Sequence, residues 1–290
     1  MSHSGWQPHV GVMQGRLSPP INGRIQAFPW ESWDREFELV GATGGRAIEF
    51  ILEADRWQDN PLLSPEGRDA IAGLCRRHGV FVDTVCLDYF MAFSLWEEAR
   101  DDRPAGVEVL RSLIRSAPAL GVTVMNLPLL ERSEIEDPDS RRSACDALAR
   151  VVPALEETGL RLALETSLAP HPLHEFLHHL WNPSFGVNYD TGNSAYFGHS
   201  VAEEMAEYGH HVYSVHIKDC RRTQPSVRLG TGETDFESFF SALAKLEYRG
   251  PIVLQSARTI PDPVKDVSEQ IQFVRQWLTK YPLGHRVGDR

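Results

Sequence analysis

Short apolar, β-branched runs alternate with longer stretches whose apolar residues recur every three or four positions, and glycine commonly separates one unit from the next. The first run is His9 to Met13. A helix is predicted from about Ser32, with Trp33, Phe37 and Val40 on one face, ending at Gly44 and Gly45. Ala47 to Ile51 is the second run. Ser64 followed by Pro65 predicts an N-cap with proline at the first helical position, and Gly79 closes that helix. Val80 to Leu87 and Val122 to Leu127 are the third and fourth runs, on either side of a helix beginning near Pro104.

The second half repeats the scheme. A helix from about Asp139 to Glu157 precedes Leu160 to Leu164. A helix near Pro172 to Leu180 precedes Phe185 to Tyr189, and Val201 to Tyr208 precedes Val212 to Ile217. Thr234 and Glu237 predict a capping box for the next helix, whose apolar face is Phe236, Phe239, Phe240, Leu243 and Leu246. Pro251 to Leu254 is the last strand, and the final helix runs from about Val267 to Leu278. Eight strand–helix units in one uninterrupted chain predict a parallel α/β sheet closed into a (β/α)8 barrel, residues 1–290 forming a single domain. The competing arrangement is an open doubly wound sheet, but its GxGxxG after the first strand is absent.

Composition adds limits. With 290 residues, 42% of them hydrophobic, the chain can build a large core. The net charge of -11 disfavours nucleic acid as a partner and leaves room for a small substrate. No stretch approaches a membrane span, and Met1 to Pro8 has no signal-like apolar region, so a cytoplasmic protein is expected. Cys75, Cys86, Cys145 and Cys220 show no CxxC pairing and read as reduced.

Active sites of such barrels lie at the C-terminal ends of the strands, so the residues there carry the functional argument. They are Gln14, Gly15 and Arg16; Glu49; Asp88 and Tyr89; Glu131 and Arg132; Glu165; Asp190; His216, Lys218 and Asp219; and Gln255. The last four strands offer two carboxylates, an imidazole and an amide. Such a set suits a divalent cation of hard to borderline character: Mn²⁺, Mg²⁺, Co²⁺ or Zn²⁺. Asp190 would equally suit a helix cap, and His216 a core histidine. Glu165, directly after an apolar strand, would be costly to bury unpaired.

The segments Val12 to Ser18, Ala47 to Phe50, Leu162 to Glu165, Asn188 to Asn193, Val215 to Asp219 and Leu229 to Phe236 resemble the sugar phosphate isomerase/epimerase family. This is the xylose-isomerase-like TIM-barrel superfamily, whose members include ketose 3-epimerases, a dehydratase and a DNA endonuclease. The resemblance implies a metal held by Glu165, Asp190, His216 and the residue at 255. That family uses glutamate at the fourth position, and this chain has Gln255. A family histidine three residues after the aspartate is here Asn193, and Arg222 matches a substrate-contacting arginine.

The resemblance implies proton abstraction α to a carbonyl on a sugar, sugar phosphate or polyol, with Glu165 and the residue at 255 as the catalytic pair. Gln255 does not titrate near neutrality, so Glu165 is the expected base. Gln14, Glu49, Asn193, Lys218 and Arg222 are expected to contact substrate. An isomerase or epimerase is the leading reading. A metal-dependent lyase or dehydratase, or a non-catalytic barrel subunit of a larger assembly, is the alternative. Aromatic residues after strands one and three (Phe28, Trp30, Trp33, Tyr89, Phe90, Phe93 and Trp96) would stack on substrate or bury against a second copy of the chain.

Overall fold

A computed structural model describes residues 8–284. Eight parallel strands close a barrel in sequence order, β1 pairing with both β2 and β8. They are β1 (Val10–Met13), β2 (Ala47–Ile51), β3 (Phe81–Cys86), β4 (Val124–Leu129), β5 (Arg161–Thr166), β6 (Phe185–Asp190), β7 (Val212–Ile217) and β8 (Ile252–Leu254). The helices are α1 (Arg35–Thr43), α2 (Pro65–His78), α3 (Tyr89–Ala92), α4 (Gly106–Ser116), α5 (Pro138–Ala149), α6 (Val152–Thr158), α7 (Pro170–Leu180), α8 (Thr191–Phe197), α9 (Val201–Tyr208), α10 (Phe236–Lys245) and α11 (Pro263–Lys280). The closed ring rules out the open sheet.

Local chemistry explains most boundaries. Ser64 Oγ accepts the Gly67 N–H at 3.0 Å, and Gly79 ends α2 in the left-handed region. The stretch expected as one helix over 139–157 is two. Pro153 lacks an N–H to offer the Ala149 carbonyl, so α5 stops and α6 restarts at Val152. The capping box at Thr234 and Glu237 is not formed. Asp235 caps α10 by accepting the Ser238 N–H at 2.9 Å, while Thr234 Oγ1 donates to the carbonyls of Thr191 and Lys218. Helix α8 has no apolar periodicity in the sequence, and Asp190 nucleates it as N-cap.

The outward faces of the strands pack against the helices, where Phe239, Phe240, Leu243, Ile271 and Val274 are fully buried. The barrel interior is divided. A small apolar cluster of Met13, Ile51, Cys86 and Val253 sits on one side. Elsewhere the interior carries Glu49, Thr84, Asn126, Asn188, Ser214 and His216, each 3% exposed or less. Barrel interiors are ordinarily filled by branched aliphatic residues, so a polar interior marks this part of the fold.

The aromatic residues after β1 and β3 fold into the chain's own core. Phe28, Tyr89 and Phe90 are fully buried, and Trp30, Trp33, Phe93 and Trp96 pack against that core. Phe28, Tyr89 and Phe90 thus serve the chain's own core, while Trp30, Trp33, Phe93 and Trp96 keep part of their surface exposed. All four cysteines are free. Among the described residues no helix is long and apolar enough to cross a membrane. Of the polar N-terminal stretch, Met1 to Gln7 lies outside the described residues.

Candidate active site

Alternation along each strand decides which side chains face the barrel interior. Glu165, next to last in β5, lies on the same face as Ala163. Asn188 and Asp190 share one face of β6, and Ser214 and His216 one face of β7. Asp190 and His216 are register partners. The consequence is a cluster in which ligand atoms of Glu165, Asp190 and His216 all lie within 4.8 Å of one another. Gln255 follows two residues after the inward Val253, and its N–H donates to the Ile217 carbonyl at 3.1 Å. Its Oε1 is buried without a hydrogen-bond partner among the described residues.

Each member is held. Glu165 accepts Asn188 Nδ2 on Oε2 and Asn193 Nδ2 on Oε1, both at 2.8 Å. Asp190 divides its carboxylate. Oδ1 accepts the N–H groups of Gly192 and Asn193 at 2.8 and 2.9 Å, and Oδ2 faces Lys218 Nζ at 3.5 Å. The aspartate is therefore both helix cap and site residue. Lys218 Nζ also donates to Asn193 Oδ1 at 3.2 Å. His216 is fully buried, with Nε2 at 2.8 Å from Glu49 and Nδ1 at 3.6 Å from Glu165.

The electrostatics follow from this crowding. Burial alone would lower the His216 pKa, but Glu49 and Glu165 outweigh it and raise it to about 10. Burial pushes the Glu165 carboxyl upward, yet His216, Lys218 and the Asn188 amide hold it below the usual range. Burial would lower the Lys218 pKa, but Asp190 and Glu165 raise it. Two carboxylates and an imidazole form a donor set that fits a hard or borderline divalent cation.

The other expected residues divide into two groups. Asn193 and Lys218 join the cluster through Glu165 and Asp190. Gln14 is buried and spends its Oε1 on the Ile51 N–H at 3.1 Å. Glu49 has no exposure and holds His216 Nε2 at 2.8 Å. Arg222 is exposed, its guanidinium against Gly198 at the end of α8.

Sequence reasoning missed Asn126 and Asn188. The available signal was a lone asparagine at an inward position of an otherwise apolar strand. It also missed what holds the rim. Arg16 donates to the Gln255 carbonyl at 3.1 Å and to Gln26, which donates to Asp88 at 2.8 Å. Arg258 gathers the carbonyls of Gly15, Arg16 and Ser18. Burial pushes the Asp88 carboxyl up and pulls the Arg16 guanidinium down to about 10. Asp219 is absorbed in its own loop, accepting N–H groups from Gly230, Gly232 and Thr234.

A closed barrel with acids, an imidazole and an amide at the ends of its last four strands defines a class, and comparison with known proteins agrees. Residues 37–277 match the model of the xylose isomerase-like TIM barrel family, and the chain belongs to that family. It is 28% identical over 264 residues to the L-ribulose-5-phosphate 3-epimerase UlaE of Escherichia coli K12, covering 86% of this chain and 91% of that protein. A solved L-ribulose 3-epimerase superposes with a TM-score of 0.73 at 17% identity, over 95% of this chain and 96% of the other. A xylose isomerase-like TIM barrel protein from Mycobacterium smegmatis, solved in complex with magnesium, gives 0.69 at 18% identity, over 95% and 97%. These two likenesses show the shared fold.

Proposed function

We propose that this chain is a sugar isomerase or epimerase that uses a divalent cation to remove a proton α to a carbonyl. The observation that carries the reading is the convergence of Glu165, Asp190 and His216 ligand atoms within 4.8 Å at three successive strand ends. The family and the epimerase relative supply the reaction class, and the relative's substrate suggests a ketose or ketose phosphate.

Glu165, Asp190 and His216 would hold the cation, with the free Oε1 of Gln255 as an uncharged fourth ligand. A bound cation would supply Lewis-acid polarisation of the substrate carbonyl. Glu165 is the base, its orientation fixed by Asn188 and Asn193. Lys218 stands beside Asp190 and Asn193, where it can donate to a substrate oxygen. Gln255 cannot exchange a proton, which favours same-face transfer by Glu165 over a glutamate pair. Asp88 is the further acid at the mouth, within electrostatic reach of Glu165.

The test uses purified chain with Mn²⁺ or Mg²⁺ and a panel of ketoses and ketose phosphates, L-ribulose 5-phosphate included, in D₂O. Deuterium enters beside the carbonyl as product forms. Glu165→Gln lowers turnover by about 10² or more, and unchanged turnover in that variant would remove Glu165 as the base. Gln255→Glu is expected to tighten the cation.

A further inference from the structure

Glu49 has no exposure, and none of the chemistry assigned above uses it. Its carboxylate is buried in mid-barrel, where an unpaired charge is costly. The pairing found there is specific. Oε2 lies 2.8 Å from His216 Nε2, and Oε1 accepts the Asn126 amide. Among the described residues Asn126 Oδ1 has no partner. Rotating the amide to use it would set two acceptor oxygens against each other, so the N–H side faces Glu49.

Asn126 Nδ2 also lies 3.2 Å from Nε2. The other edge of the ring is built alike but looser, with Glu165 at 3.6 Å from Nδ1 against 2.8 Å from Nε2 to Glu49. Asn188 Nδ2 lies 3.0 Å from His216 Nδ1 and donates to Glu165. Nδ1 therefore faces the carboxylate of Glu165, and Nε2 faces away from it. A carboxylate accepts but does not donate, so Nε2, the nitrogen within hydrogen-bond distance of one, carries the proton. Carboxylates placed in this way behind a ligating imidazole fix its tautomer and raise its basicity.

We infer that Glu49 is a positioning residue: it keeps the His216 proton on Nε2, presents the Nδ1 lone pair toward Glu165 and Asp190, and supplies from behind the ring the negative charge that glutamine at 255 does not provide. This rests on the reading that Glu165, Asp190 and His216 hold a cation. It explains how a donor set with only two charged ligands keeps its hold on a divalent ion. It also accounts for a fully buried carboxylate in the middle of a strand.

The experiment uses Zn²⁺, which is diamagnetic, and the full chain. Zinc affinity is measured by competition with a chromogenic chelator for the wild type, Glu49→Gln, Glu49→Ala and the surface control Glu237→Gln. In parallel, ¹⁵N–¹H correlation of the imidazoles in the zinc-loaded wild type, assigned by the loss of one ring in His216→Ala, locates the His216 proton. The proton is expected on Nε2. Glu49→Gln is expected to weaken zinc about tenfold and Glu49→Ala by up to about a hundredfold, with Glu237→Gln unchanged. A proton on Nδ1, or equal zinc affinity in Glu49→Gln and wild type, overturns the inference while leaving the site intact. Absence of zinc binding by the wild type overturns the reading of the site, and the inference with it. Where Glu49→Ala does not fold, the isosteric Glu49→Gln and the wild-type spectrum together keep the inference testable.

Discussion

Glu36 offers a stability prediction whose size can be worked from the structure. This α1 carboxylate is 2% exposed and accepts the N–H groups of Gly15 and Leu17 at 2.9 to 3.1 Å, tying α1 to the loop that carries Gln14 and Arg16. Burial outweighs those bonds and raises its pKa from 4.5 to about 7. The folded state therefore holds this proton more tightly than the unfolded chain. Its contribution is fully present below pH 4.5 and is lost as pH rises to about 7. At about 1.36 kcal/mol per pH unit, the loss is roughly 3 kcal/mol. Glu36→Gln, which does not titrate, isolates it. Urea unfolding of both proteins from pH 4 to pH 8 is the assay. The stability of wild type minus that of Glu36→Gln should fall by roughly 3 kcal/mol across the window. A flat difference would refute the reasoning, and a rising one would mean that the backbone donors outweigh burial.

Further tests address the rim, the core and the caps. Gly15→Ala places a Cβ 2.3 Å from the Ile25 carbonyl at a φ of +89°, so a loss of at least about 1–3 kcal/mol is expected in thermal unfolding. Phe240→Ala removes a fully buried ring stacked on Trp277 and should cost about 3–5 kcal/mol by chemical denaturation. Asp235→Ala should destabilise by about 1 kcal/mol. A larger loss from Glu237→Ala than from Asp235→Ala would restore the capping box that the structure lacks.

How much of this was legible in the sequence depended on the range of the forces involved. Period-two and period-three-to-four patterning, with Gly79 and Ser64 as punctuation, placed all eight strands because each signal is local. Pro153 carried a local signal as well, but the apolar spacing runs straight through it. Helix α8 had no apolar stripe to read, since Asp190 caps it while also serving the site.

By itself the sequence determined the order of elements and the types of donor at the strand ends. Closure of the sheet decided the rest. It brought Glu165, Asp190 and His216 to one centre, and it set Glu49 from the other side of the ring behind the imidazole. It also turned Phe28 and Tyr89 into core. These relations join residues far apart along the chain. Nothing in local patterning encodes them, because the distance between two strands exists only once the barrel has closed.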